Sequence, residues 1–189
     1  MSLSLSLWPN CLTLARILAV PLLLALYLFS IHPLHWVVAG IFLLASLTDW
    51  LDGFLARRYE CSTPLGTFLD PVADKLLVST ALMITIFEYQ NPWLFGFSVI
   101  IISREITVSA LREWMATRGK SAHLKVRHIA KVKTALQMTG IFLLLTHFNH
   151  LTFELGTYAL CCATILTLYS MIQYLRIAAQ DLTFIVKQT

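Results

Sequence analysis

Six long apolar runs, at about residues 11–31, 36–57, 67–88, 92–117, 129–148 and 154–178, leave this 189-residue chain few architectures. About 20 mostly apolar residues are enough for one helix to cross the hydrocarbon core of a bilayer. With 58% hydrophobic residues, only 13% charged and a mean hydropathy of +0.74, the chain reads as a membrane protein rather than a soluble globule. The runs predict an all-α integral membrane protein of six transmembrane helices, forming one domain over residues 1–189 with no soluble appendage. Residues 1–10, MSLSLSLWPN, lack a basic leader and a small-residue cleavage site, so no signal peptide is expected. They read as a short interfacial helix with Trp8 at the headgroup level.

The basic residues set an orientation. The connections at 32–35, 89–91 and 149–153 hold no Lys or Arg. Arg57 and Arg58 occupy one alternate connection, and Arg118, Lys120, Lys125 and Arg127 another. By the positive-inside rule these connections and both termini face the cytoplasm, which an even number of spans requires. The net charge of +4 is then mainly a topology signal and a source of attraction to anionic lipid, not the footprint of a nucleic-acid partner. The four cysteines, Cys11, Cys61, Cys161 and Cys162, follow no metal or redox spacing.

Against this background five of the ten carboxylates fall within residues 49–74, four of them the aspartates Asp49, Asp52, Asp70 and Asp74. Helix rise converts their spacing into depth. Asp49 lies 13 residues past Trp36, about 20 Å into a core about 30 Å thick. Asp74 lies 14 residues back from Glu88, about 21 Å in, so the two acids are level on antiparallel neighbours. Counted from Trp93, Arg104 is about 17 Å and Arg112 about 29 Å deep, and counted from His147, Lys131 is about 24 Å and Lys133 about 21 Å deep. Acids and bases thus converge in the inner half of the membrane.

A charge at mid-bilayer costs about 2.5–3.5 kcal/mol, so four unpaired aspartates would cost on the order of 10 kcal/mol. They are tolerable around a cation, in a wet cavity, or as buried ion pairs with a neighbour such as Lys75. Asp49 and Asp52 (i,i+3) share one helix face, as do Asp70 and Asp74 (i,i+4). All-oxygen donors suit hard divalent cations.

The pattern Asp49-x-x-Asp52-Gly53-x-x-Ala56-Arg57, then eight residues, then Gly66-x-x-x-Asp70-x-x-x-Asp74 resembles the signature of the CDP-alcohol phosphatidyltransferases. The resemblance implies six membrane helices around a cytoplasm-facing polar cavity. It also implies transfer of a phosphatidyl-type group from a CDP-linked lipid to an alcohol, with two divalent cations, Mg2+ or Mn2+. By that resemblance Asp49, Asp52, Asp70 and Asp74 bind metal, and Asp74 is also the candidate general base. Asp49, Asp52, Gly53, Ala56, Arg57 and Gly66 match positions that cradle CDP.

A longer similarity runs through WPNCLTLARILAVP, SREITVSALREWMATRG, AKVKTALQM and LYSMIQYL. It resembles the branch of bacterial cytoplasmic-membrane enzymes that join CDP-diacylglycerol to sn-glycerol 3-phosphate, releasing CMP, with a homodimer implied. Ala130 departs from the glycine expected before the lysine. Arg104, Arg112 and Lys131 are then the acceptor-phosphate residues, with Lys133 as a further candidate. A dianionic acceptor gives such bases a reason to lie deep. Arg16, one turn into the first span, is expected to snorkel. Asn10 and Thr13 are expected to cap that helix, and the similarity also allows them a place near the nucleotide.

Two alternatives stay open from sequence. One is a member of the same family with another acceptor, such as serine, inositol phosphate or phosphatidylglycerol. The other is a divalent-cation transporter, for which intramembrane acids would line an ion path.

Overall fold

The computed structural model describes the backbone of residues 3–29, 35–59, 64–117, 127–146 and 148–186. Side chains are described over 13–29, 35–48, 69–115, 117, 131–146 and 148–176. Six helices account for nearly all of this: α1 Leu3–Phe29, α2 His35–Tyr59, α3 Pro64–Tyr89, α4 Pro92–Thr117, α5 Arg127–Thr146 and α6 His150–Val186. Among the described residues there is no strand. Each helix contains one of the six apolar runs almost whole, with ends shifted by a few residues.

The helix ends follow local chemistry. Gln90 closes α3 with φ 45°, and its N–H donates to the Ile86 carbonyl at 3.0 Å, the left-handed closure that ends many helices. Asn91 then caps α4. Its side-chain oxygen accepts from the backbone N–H groups of Trp93 at 2.8 Å and Leu94 at 3.4 Å, and Pro92 fills the first helical position, where no donor is needed. Asn149 caps α6 in the same way, accepting from the Thr152 N–H at 2.8 Å. α1 has no such start at Asn10 or Thr13. The helix runs on from Leu3, so both residues lie inside it rather than capping it, and residues 3–10 continue α1 instead of forming a separate segment.

The packing closes a ring, with α1 against α2, α2 against α5, α5 against α6, α6 against α4, α4 against α3 and α3 back against α1. α3 also touches α2 and α5 across the ring. The closest pair is α5 and α6, which cross at two glycines. A Cβ on Gly156 would lie 2.8 Å from Leu144 Cγ, and one on Gly140 would lie 3.0 Å from the Gly156 carbonyl oxygen. Small residues at such crossings let backbones approach.

The middle of the bundle is mainly apolar, built from Leu23, Phe42, Leu77, Leu82, Leu94, Ile101, Ile141 and Leu160, all fully buried. The perimeter is also apolar, with Leu18, Leu28, Leu44, Met83, Trp93, Tyr158 and Ile165 exposed. Soluble monomers rarely expose apolar surface on this scale. The hydroxyls of Thr85, Thr157 and Thr164 bond to carbonyls three or four residues back, which satisfies them within their own helices. Two helices, over Pro92–Met115 and His150–Arg176, are long and apolar enough to cross a membrane among the described residues.

The two ends of the bundle differ. At the end carrying the α3–α4 and α5–α6 turns, Tyr27 donates to Glu88, His35 Nε2 lies 4.0 Å from Glu88 Oε1, and the Tyr89 hydroxyl donates to the Leu144 carbonyl at 2.9 Å. Trp36 stacks edge-on against Phe148 with centroids 5.2 Å apart. These contacts close that end. Lys75, Arg104, Arg112, Lys133, Asp70 and Asp74 gather toward the other.

Candidate functional site

A cavity of about 250 Å³ opens between α3, α4 and α5. Four bases line it (Lys75 from α3, Arg104 and Arg112 from α4, Lys133 from α5), together with two acids, Asp74 and Glu105. Pro71, Val108, Ser109 and Thr134 complete the wall. Among the described residues bases outnumber acids, so this part of the cavity suits a small anion.

The helices bring these groups together by register. Arg104 and Arg112, eight residues apart, face the same side of α4 two turns apart. α6 meets them with Ser170 and Tyr174, one turn apart. Arg104 Nη2 donates to Ser170 Oγ at 2.8 Å, and Ser170 donates in turn to the Thr167 carbonyl at 3.0 Å. Arg112 Nη2 donates to the Tyr174 hydroxyl at 2.6 Å, and its guanidinium carbon sits 5.1 Å from the centroid of the same ring. Tyr174 and Ser170 are buried, so both arginines are clamped from behind. Arg104 is itself only 7% exposed, and its Nε finds no partner among the described residues.

Lys75 donates to Ser109 across the α3–α4 interface. The Gln137 amide lies 3.4 Å from Glu105 Oε1. Lys133 is buried and lines the cavity, whereas Lys131, two residues earlier, is exposed and does not. Two residues on a helix differ by about 200° around its axis, so the pair cannot serve one face. Ser170, Tyr174, Glu105 and Ser109 are not singled out by the sequence pattern, although LYSMIQYL contains the first two.

Beside the cavity, Asp70 and Asp74 project from adjacent turns of α3. Pro71 lies between them inside the helix and has no N–H, which leaves the carbonyl four residues back without its usual donor. Asp70 pairs with α1 rather than with Lys75. The Thr13 hydroxyl donates to Asp70 Oδ1, and Arg16 Nη2 lies 3.4 Å from the same oxygen. Arg16 therefore does not snorkel. It is 1% exposed and points into the bundle, where an aspartate is available and a headgroup is not.

Asp49, Asp52, Gly53, Ala56 and Arg57 lie on the second half of α2, and Gly66 at the start of α3, which puts them at the same end of the bundle. Their side chains, and that of Asn10, lie outside the described residues, as do residues 118–126 of the basic connection. Cys161 and Cys162 are free thiols on α6, away from the cavity lining.

The family described as CDP-alcohol phosphatidyltransferase matches residues 6–173. A protein of Pseudomonas fluorescens is 46% identical over 173 residues, covering 90% of this chain and 89% of its own length. One of Pectobacterium atrosepticum is 45% identical over 178 residues, covering 92% and 96%. One of Wigglesworthia glossinidia brevipalpis is 43% identical over 174 residues, again covering 92% and 96%. All three carry the name CDP-diacylglycerol–glycerol-3-phosphate 3-phosphatidyltransferase. With a match this long, a helical bundle throughout and an acid-and-base cavity at one end, the chain belongs to the CDP-alcohol phosphatidyltransferase family.

Proposed function

We propose that this chain transfers the phosphatidyl group of CDP-diacylglycerol to sn-glycerol 3-phosphate, giving phosphatidylglycerophosphate and CMP. The observation that carries the reading is the cavity, where Arg104, Arg112 and Lys133 face the same space as Asp74. A small dianionic acceptor needs bases at its phosphate and an acceptor of protons at its hydroxyl, and this cavity offers both. The relatives' shared name supports the same pair of substrates.

In this reading Arg104, Arg112 and Lys133 grip the acceptor phosphate through charge-assisted hydrogen bonds. Asp74 takes the proton of the attacking hydroxyl as the new bond to phosphorus forms. The residues on α2 and at the start of α3 that match the family signature hold the CDP moiety next to it. The apolar packing around Phe42, Leu77 and Leu82, all fully buried, supports transfer chemistry over ion passage.

The acids also fit a divalent cation. Asp70 Oδ1 is taken up by Thr13 and Arg16, while its Oδ2 accepts nothing from the described residues and the side chain is 43% exposed. An open carboxylate oxygen one turn from Asp74 is a suitable hard-cation donor. Asp49, Asp52, Asp70 and Asp74 would hold Mg2+ or Mn2+. Held by these acids, such a cation would supply positive charge to offset that of the pyrophosphate and of the departing CMP.

All six helices cross the membrane in this reading, with the site and both termini on the cytoplasmic side. The apolar perimeter and the basic connections support that placement. The test is purified protein supplied with CDP-diacylglycerol and a panel of acceptors: glycerol 3-phosphate, serine, inositol phosphate and phosphatidylglycerol. CMP release and the lipid formed are scored. Release with glycerol 3-phosphate alone is the expected result, and preference for an uncharged or zwitterionic acceptor would overturn the assignment.

A further inference from the structure

Arg16 heads the fully buried side chains of the described residues in size, and no described residue of its helix lines the cavity. A guanidinium is costly to bury unless it is paired. Its position is explained by Asp70, whose Oδ1 it shares with Thr13. Thr13 and Arg16 are three residues apart, so they point the same way from one turn of α1, and each is 1% exposed. Two donors from a neighbouring helix thus converge on one carboxylate oxygen. The other oxygen accepts nothing from the described residues. This is the geometry by which an outer partner fixes the orientation of a metal-binding side chain.

We infer that α1 is the positioning element of the cation site: Thr13 and Arg16 anchor Asp70 by Oδ1 so that Oδ2 is presented to a divalent cation. The inference rests on the metal reading given above. The two residues differ in how they act. Arg16 orients Asp70 but also brings positive charge toward the cation, so its removal has opposing effects. Thr13 is neutral and only orients. Its removal should therefore weaken cation binding without an electrostatic gain.

The experiment uses the full chain in lipid nanodiscs without substrates, titrated with Mn2+ while free Mn2+ is read by electron paramagnetic resonance. Thr13→Val keeps the shape and removes the donor. It should bind Mn2+ about 10- to 100-fold more weakly, the usual cost of losing a partner that orients a ligand. Thr13→Ser, which keeps the hydroxyl, should bind close to wild type. Thr13→Ala repeats the test without a methyl group against Asp70, in case the valine variant does not fold. Thermal midpoints without Mn2+ should stay close to wild type, while the stabilisation that Mn2+ adds shrinks for the valine and alanine variants. Wild-type Mn2+ affinity in both of those variants, or a serine variant as weak as they are, overturns the role of α1 and leaves the metal reading standing. A wild-type protein that binds no Mn2+ overturns both.

Discussion

Arg104→Lys keeps a positive charge in the cavity and removes the planar fork, so it separates charge from geometry. The size of the effect follows from what Arg104 does in the structure. One amino group is committed to Ser170 Oγ at 2.8 Å, so the other amino group remains for an anion in the cavity that Arg104 lines. A lysine ammonium is a point charge that cannot hold Ser170 and present a second, differently directed donor in the same plane. The expected loss is one charge-assisted hydrogen bond, about 1.5–3 kcal/mol. That corresponds to roughly one to two powers of ten in kcat/KM for glycerol 3-phosphate. Because Arg104 is buried, water does not replace the lost bond cheaply, which favours the upper half of that range. The assay is CMP release in mixed micelles, varying glycerol 3-phosphate at saturating CDP-diacylglycerol and then the converse. The donor KM should hardly move. An efficiency near wild type, or a loss confined to the donor, would refute the assignment of Arg104 to the acceptor phosphate.

Three further substitutions probe other parts of the site and the frame. Asp74→Asn should nearly abolish CMP release while leaving membrane insertion intact, because it removes both the proton acceptor and a cation ligand. Turnover close to wild type would exclude both roles. Lys133→Ala should lower kcat/KM for glycerol 3-phosphate by about one to two powers of ten, whereas Lys131→Ala, at an exposed position off the cavity wall, should change it little. The reverse pattern in the same kinetic assay would give the acceptor role to Lys131. Gly156→Ala places a methyl 2.8 Å from Leu144 Cγ and 3.1 Å from the Gly140 carbonyl, and should cost about 1–3 kcal/mol by overpacking, read as a lower thermal midpoint in detergent. Gly40→Ala, with open space around its Cβ, serves as the comparison and should not lower the midpoint.

The helices were legible because the length of an apolar run is a direct physical requirement, and the runs at 36–57 and 92–117 correspond closely to α2 and α4. That Asp74, Arg104, Arg112 and Lys133 come to one level of the bundle was legible for the same reason, since rise per residue is constant. Azimuth was not. Lys131 and Lys133 differ by about 3 Å in depth, which a count from His147 barely separates, yet they face opposite sides of α5. Which side meets the cavity is decided by how α5 packs on α3 and α6, at contacts such as the Gly140–Gly156 crossing, and a single helix cannot report it. Arg16 was misread on the same account. Asp70 lies 54 residues away in sequence, and only the docking of α1 on α3 puts them side by side.

The hydroxyl groups of α6 were hidden for a different reason. A serine or threonine in an apolar helix ordinarily bonds to a carbonyl of its own previous turn, as Thr157 and Thr164 do, so Ser170 looks no different from them in sequence. Ser170 does make that bond, to Thr167, and then uses its free lone pairs for Arg104. The same economy recurs around the site. Arg112 is met by Tyr174, Lys75 by Ser109, and Arg16 by Asp70, so each of these bases is matched by an oxygen on a neighbouring helix. Three of those four oxygens belong to neutral hydroxyls, and this has an electrostatic consequence. A hydroxyl orients a guanidinium or ammonium without neutralising it, so the attraction for an incoming dianion is retained. Carboxylates in those three places would have fixed the bases equally well and removed the field that an acceptor phosphate needs. The one base here that is met by a carboxylate, Arg16, is also the one that lies outside the cavity.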